Sequence, residues 1–355
     1  MRDIGPLRRD ISVCVGPQAG VGMRLDSYLT AALMTYSRSL VSGWISRGYV
    51  TCDGTLARPG QRVRAGAQIR LVIPHPPVPE DHQRSPAVVD ILYRDESVIA
   101  CAKPVGQLSH PAGKVLTGTV LNQLQELDPE VRLVNRIDRD TSGIILACTS
   151  AEDHARLCRA MRAGRFDKRY LALCHGCPQP PQGCWEQAIA DPVDDRTIAR
   201  RCAPEGQPSR TRYQVIEDDG HGRYALLELI LDTGRQHQIR VHAAHNGHPL
   251  IGDWVYGQAC VELEGQALHA ARLVFPHPRN GSTITVQAPL TGVLAAFWQE
   301  LKTGGQPTPR PLRASERRRL GLVDDPTTSA LPHGYRPPTW LDDDSLRALR
   351  QETGE

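Results

Sequence analysis

Asn135-Arg136-Ile137-Asp138-Arg139-Asp140-Thr141-Ser142-Gly143 runs without a break into the apolar stretch Ile144-Ile145-Leu146-Ala147-Cys148. A short continuous apolar run next to turn residues reads as a fully buried strand. The polar segment in front of it is therefore anchored from behind. It carries two carboxylates, Asp138 and Asp140, set among Arg136 and Arg139. Neighbouring guanidinium groups keep a carboxylate ionised. An ionised, rigidly held aspartate can serve as nucleophile or general base. Taken alone, the segment fits a solvated turn equally well, because Arg–Asp pairs are common on surfaces and Thr-Ser-Gly is ordinary turn chemistry.

Outward from this stretch, strand and helix signals alternate irregularly. Residues 150–162 read as a helix with Ser150 and Asp153 at its start and Gly164 at its close. Residues 170–174 and 224–231 read as strands, and residues 236–246 as a helix ending at Gly247. An irregular mixture of this kind predicts an α+β fold rather than a doubly wound sheet.

Residues 24–73 form a separate module. Leu25, Leu29 and Leu33 fall on one helical face. Ser37 is the expected cap of a second helix carrying Leu40, Val41, Trp44 and Ile45, with Gly48 as its stop. The remainder alternates around Asp53-Gly54 and Pro59-Gly60, which predicts short strands joined by turns. Seven arginines against two aspartates leave this module at +5, whereas the whole chain carries only +3. A basic module on a nearly neutral body is an electrostatic footprint for phosphates, although a solvated arginine surface has the same composition. Residues 74–87 are proline-rich and read as a semi-stiff linker. Residues 88–302 form the large mixed domain, residues 1–23 an N-terminal arm, and residues 303–355 a polar tail expected to lack stable structure.

With 355 residues, 40% of them hydrophobic, the chain can bury a sizeable core. There is no signal-peptide pattern at the N-terminus and no apolar stretch of membrane-spanning length. A cytoplasmic protein is expected, with its 10 cysteines reduced. Cys174 and Cys177 have the spacing of half a zinc site, but no second pair follows. His237, His242 and His245 lack an acidic partner at metalloprotease spacing, so no metal is expected. Tyr170 could be a core tyrosine and Arg240 a surface partner for any acid.

Several segments in order change that balance. They are Ile91–Ile99, Lys103-Pro104, Arg136–Gly143, Lys168-Arg169-Tyr170, Thr233-Gly-Arg-Gln-His-Gln-Ile-Arg240, Gly252-Asp-Trp-Val-Tyr-Gly257, Leu268-His-Ala270 and Phe275-Pro-His-Pro278. Together they resemble the RluA-type pseudouridine synthase family over nearly all of residues 88–302. Arg24-Leu25-Asp26 and Ser37-Arg-Ser-Leu-Val41 resemble the αL RNA-binding module also found in a small-subunit ribosomal protein.

The resemblance implies an α+β catalytic domain built on a mixed, mainly antiparallel sheet with flanking helices. It implies isomerisation of uridine: the C1′–N1 bond breaks, the base rotates, and a C1′–C5 bond forms. No redox or group transfer occurs, so no cofactor is expected. By match to the family motifs, Asp138 is the essential aspartate. It either attacks the nucleoside or removes a ribose proton. Arg240 is its charge partner, and Tyr170 stacks on the base near C5. Ile239 packs against the base, and Arg136 fills the gap left by the extruded uridine. Extrusion costs a few kcal/mol, and a flat guanidinium is suited to the vacated place. Asp140 is expected to act through loop structure. Asn135 departs from the family's usual histidine; it can bond to backbone but cannot titrate.

In the basic module, Arg38, Arg47, Arg62 and Arg64 are the expected RNA contacts. The expected partner is RNA, most simply large-subunit ribosomal RNA, with the protein a monomer. Two other readings are a synthase acting on transfer RNA and a non-catalytic RNA-binding assembly factor. The second would predict decay of the catalytic set, yet Asp138, Tyr170 and Arg240 are all present.

Overall fold

A computed structural model describes residues 7–16, 21–33, 38–46, 48–58, 60–74, 89–112, 115, 117–193 and 197–322. The chain divides into two compact units. One comprises Met1–Val88 with Leu108–Pro129, the other Val89–Gln107 with Glu130–Glu355. The large domain expected over residues 88–302 is thus interrupted by the Leu108–Pro129 segment.

In the first unit, β1 (Leu7–Cys14), β2 (Val50–Cys52), β3 (Thr55–Leu56) and β4 (Gln68–Pro74) form an antiparallel sheet in the order β1-β4-β2-β3. Helices α1 (Leu25–Leu33) and α2 (Arg38–Ser46) pack with it around Leu25, Leu29, Val41, Trp44, Ile45, Ile69 and Leu71. Asp53 and Gly54 both have positive φ, 50° and 77°, and make the two-residue turn between β2 and β3. Two positive φ values in sequence suit the twist of a tight hairpin, and Asp-Gly adopts them readily. The helix starting near Ser37 is present, but Ser37 itself lies outside the described residues. The expected N-terminal arm is corrected in part. Leu7–Cys14 pairs along its whole length with β4, and Val15 lies in the core. Its partner is some sixty residues away, so no local pattern announces the pairing. Helix α3 (Val120–Leu127) begins at a capping box between Thr119 and Asn122.

The second unit is built on β5 (Asp90–Arg94), β6 (Val98–Lys103), β7 (Arg132–Leu133), β8 (Ser142–Cys148), β9 (Asp167–His175), β10 (Gln182–Trp185), β11 (Ile189–Ala190), β12 (Arg201–Cys202), β13 (Thr211–Asp218), β14 (Tyr224–Leu231), β15 (Leu268–Pro276) and β16 (Thr283–Gln287). Ten of these make one sheet with the path β10-β13-β14-β9-β15-β8-β6-β5; β16 pairs with β15 and β7 with β8. All pairs are antiparallel except β15 with β8. This matches the expected mixed, mainly antiparallel sheet. Residues 143–148 of β8 are buried throughout, as the unbroken apolar run predicts. Gly143 has φ 108°, and a Cβ there would overlap the backbone of Ala270, where the parallel strand passes. Only glycine fits both demands.

Helix α4 (Ala151–Arg162) starts where Ser150 accepts from the Asp153 amide at 3.1 Å. Its apolar face covers one side of the sheet with Leu146, Leu157, Phe275 and Val286. Helix α5 (Gln238–His245) packs against Tyr170, Leu227 and Leu229. It begins two residues later than expected, because His237 takes a left-handed conformation with φ 57°.

The structureless tail expected from residue 303 is corrected for the described residues up to 322. After α6 (Gly292–Lys302), the chain crosses back, pairs Pro309 with Cys260, and forms the short helix α7 (Ala314–Arg319). Leu312 and Leu320 pack against Trp254, Val255 and Ala259. The segment's polar composition hides these few apolar anchors. Residues 323–355 lie outside the described residues.

Candidate active site

The segment before β8 is a tight turn, in which the Thr141 amide donates to the Asp138 carbonyl at 3.1 Å. Buried side chains and backbone hold it. Asn135 accepts from the Leu146 amide at 2.7 Å and donates to the Ile144 carbonyl at 3.4 Å, so the residue in place of histidine stitches the turn to β8. Gln266 donates to the Thr141 hydroxyl at 2.8 Å. Lys103, fully buried at the end of β6, donates to the carbonyls of Pro104 (2.7 Å), Gln107 (2.9 Å) and Arg139 (2.7 Å). Three acceptors match the three donors of an ammonium. Burial pushes the Lys103 amine down to about 7, with Asp140 and Asp138 opposing that shift. Lys103 thus fastens the peptide between Arg139 and Asp140, one residue beyond Asp138.

Asp138 emerges from this frame with its side chain 27% exposed, and Arg240 donates to it at 3.0 Å. The pairing spans 102 positions in sequence. Arg240 projects from α5, which is anchored at its start by Gln238. The Gln238 amide accepts from Thr233 and from the Arg235 amide, and donates to Arg210 and Thr211. The rest of the Arg240 guanidinium is locked by Asp253, through bonds of 2.8 Å from Nε and 2.7 Å from Nη2. Asp253 is wholly buried and also accepts from the amides of Val255 and Tyr256. A planar fork held on two sides has little freedom, so Nη1 stays aimed at Asp138.

Burial works to raise the pKa of Asp138, but His237, Arg240 and Lys103 outweigh it and hold the carboxyl below the usual range. Burial pushes His237 down to about 4 despite the pull of Asp138, so at neutral pH the imidazole is uncharged. Arg240 is then the direct cationic partner. Burial acts against its charge as well, but Asp253 and then Asp138 prevail and raise its pKa. The Tyr256 hydroxyl accepts from the Arg200 amide at 2.7 Å and lies 2.8 Å from His237 Nδ1. A neutral His237 protonated on Nε2 satisfies that set, with Nε2 standing 3.8 Å from Asp138.

Tyr170 lies at 9% exposure in one apolar cluster with Ile239, and Ile137 packs against it. Burial, reinforced by the Asp138 charge, lifts its phenol far above the ordinary value, so it stays neutral. Arg136 is exposed on the turn. Asp140 is buried, accepts from Trp254 Nε1 at 3.4 Å and pairs with Arg139 at 3.3 Å, the surroundings of a structural carboxylate. An open cleft of about 550 Å³ lies beside the site, lined by Arg200, Arg201, Gly234, Arg235 and Gln236.

Sequence reasoning gave no role to Lys103, His237, Asp253 or Tyr256. All four lie inside the quoted motifs, and the spacing of His237 bears only on a metal site. His242 is bonded to Thr211 and to the Gln187 carbonyl. Among the described residues no group of three or more His, Cys, Asp or Glu side chains is placed to hold a metal ion, and no helix is long and apolar enough to cross a membrane.

In the basic module, Arg38 pairs with the buried Asp26 at 3.0 Å, and Arg62 donates to the Gly22 carbonyl at 2.5 Å. Both therefore have structural work beside any RNA contact. Arg64 is exposed, and Arg47 lies outside the described residues.

A buried arginine locked against one aspartate and presenting its last edge to a partly exposed second one defines a site for charge-stabilised chemistry. Comparison with known proteins gives that site its class. The family model described as RNA pseudouridylate synthase matches residues 97–245, and an S4 domain matches residues 23–69. An uncharacterized RNA pseudouridine synthase of Chloroflexus aurantiacus is 37% identical over 311 residues, covering 84% of this chain and 96% of the relative. The ribosomal large subunit pseudouridine synthase D of Nitrosomonas europaea is 33% identical, covering 81% of this chain and 86% of the relative. The solved structure of human RNA pseudouridylate synthase domain containing 4 shares the fold, with a TM-score of 0.50 at 22% identity over 60% of this chain and 93% of that one. The protein belongs to the RNA pseudouridylate synthase family and carries an S4 RNA-binding domain at its N-terminal end.

Proposed function

We propose that the enzyme isomerises uridine in large-subunit ribosomal RNA, with Asp138 as the catalytic group. The observation that carries this reading is the chain Asp138–Arg240–Asp253. It presents one ionised carboxylate, part exposed, on an otherwise buried and fully paired support. A preorganised charge of this kind needs no rearrangement when charge develops in the reaction. Tyr170, neutral and buried beside Ile239, supplies a flat apolar wall for the base. Arg136, exposed on the same turn, takes the place of the extruded uridine in the RNA stack. Relatives named as ribosomal large-subunit synthases support the target, and the S4 domain would add phosphate contacts that position without specifying sequence.

The test is Asp138→Asn with unmodified ribosomal RNA. Tritium release from 5-tritiated uridine should vanish while RNA affinity stays within about twofold, since the substitution removes charge but little volume. Retained turnover would end the assignment of Asp138. Mapping pseudouridines in total RNA with and without the protein tests the target; sites confined to transfer RNA would overturn the ribosomal reading.

A further inference from the structure

The segment after α6 brings one arginine to the catalytic neighbourhood. The Val261 amide donates to Thr308, and the Arg310 amide to Ala259. The Arg310 guanidinium clamps Glu316 at 2.7 and 2.9 Å, which fixes α7. The Ile198 amide donates to the Arg319 carbonyl at 3.1 Å. The backbone of Arg319 is thereby pinned from two sides.

Its guanidinium carbon stands 5.1 Å from the centre of the Trp254 ring. The polar edge of that indole donates to Asp140. Among the described residues the Arg319 side chain makes no hydrogen bond and no ion pair. The indole it lies over bonds to Asp140, two residues from Asp138, which places Arg319 next to the turn that carries Asp138. Other arginines of this unit have carboxylate partners: Arg240 has Asp253, Arg310 has Glu316, and Arg212 has Asp232. A part-buried cation without a direct ion pair is costly. A guanidinium held over an indole face by the ring's quadrupole keeps its N–H groups for another partner. Those groups match two oxygens of a phosphodiester.

We propose that Arg319 grips a backbone phosphate of the RNA strand beside the extruded uridine, which makes the C-terminal segment part of the substrate site. This rests on the reading that RNA is the substrate and deepens it. The contact positions the strand and is not part of the bond-making step.

The experiment uses full-length protein and unmodified large-subunit ribosomal RNA transcript. Binding is measured across a potassium chloride series in the Asp138→Asn background, where no turnover intervenes. Arg319→Gln should weaken binding about tenfold near 0.1 M salt and lower the salt slope by about one charge. With Asp138 intact, the same substitution should raise KM about tenfold and leave the single-turnover rate at saturating RNA unchanged. Arg319→Lys should keep the salt slope but lose a few-fold in affinity, because the bidentate fork is gone. It also carries the test should Arg319→Gln fail to fold. An unchanged slope for Arg319→Gln, or full affinity for Arg319→Lys, would overturn the proposal. A lowered melting temperature with unchanged slope would do so too, by assigning Arg319 a structural part. Absence of pseudouridine with the unsubstituted enzyme would count against the reaction, and the slope measurement would still stand.

Discussion

Asp253→Asn isolates the lock behind the Asp138–Arg240 pair. The substitution keeps shape and one acceptor oxygen, but replaces the other oxygen with an NH2 group facing a guanidinium N–H. The two bonds from Arg240, at 2.8 and 2.7 Å, sit on a carboxylate with no exposure. Breaking a buried ion pair by removing one partner costs about 3–5 kcal/mol. The retained oxygen, and the continuing pair between Arg240 and Asp138, place this case near the lower end, about 3 kcal/mol. For a domain of this size, about 2–4 °C is lost per kcal/mol, so the melting temperature should fall by roughly 6–12 °C. Arg240 would also lose its second anchor. A guanidinium shifted by about 1 Å from its aim costs on the order of a hundredfold in rate. Calorimetry and single-turnover tritium release give the two readouts. Circular dichroism at low temperature checks that the variant is folded before the rate is measured. A melting temperature within about 2 °C of the parent, together with an unchanged rate, would refute the reasoning, because Arg240 would then need no lock.

Lys103→Met removes the donors from three carbonyls, one buried and two part-buried, and should cost at least about 3 kcal/mol, at about 1–3 kcal/mol for each acceptor left bare. Denaturant titration checks this, and a loss under about 1 kcal/mol would show that the turn holds without the lysine. Asp26 gives the N-terminal unit a definite acid limit: burial opposes ionisation, but Arg24, Arg38 and the Ser27 amide outweigh it and hold the carboxyl at about 2. Its folded pKa lies below the unfolded one, so the stabilisation is complete above pH ~4 and fades as pH falls towards ~2, amounting to about 2 kcal/mol before screening at the two exposed arginines. In Asp26→Asn that acid-dependent component of the unfolding midpoint should disappear. Gly143→Ala demands a left-handed conformation and overlap with the Ala270 backbone, and should prevent folding of the catalytic unit; normal soluble yield and activity would contradict the strand geometry.

Much was legible before the fold. The unbroken run from Ile144 to Cys148 announced a buried strand, Ser150 a helix start, and Asp53-Gly54 a hairpin turn. These signals are local: a period, a cap and a turn are each complete within a few residues. Asp138 and Arg240 came from ordered motifs, and only folding brings them together, 102 positions apart, at 3.0 Å. Asp253 and Lys103 lay in quoted segments without a role, because a buried charge is meaningful only once its partner and its surroundings are known. The strand Leu7–Cys14 and the segment carrying Arg319 were misread for the same reason. Their composition is polar, and their stability comes from distant partners, β4 for one and the Trp254 cluster for the other. The amino-acid sequence by itself therefore determined the locally signalled elements, the family and the carboxylate proposed to react. The tertiary structure alone decided what holds that carboxylate ionised and in place, because hydrogen bonds and burial between remote residues leave no periodic trace along the chain.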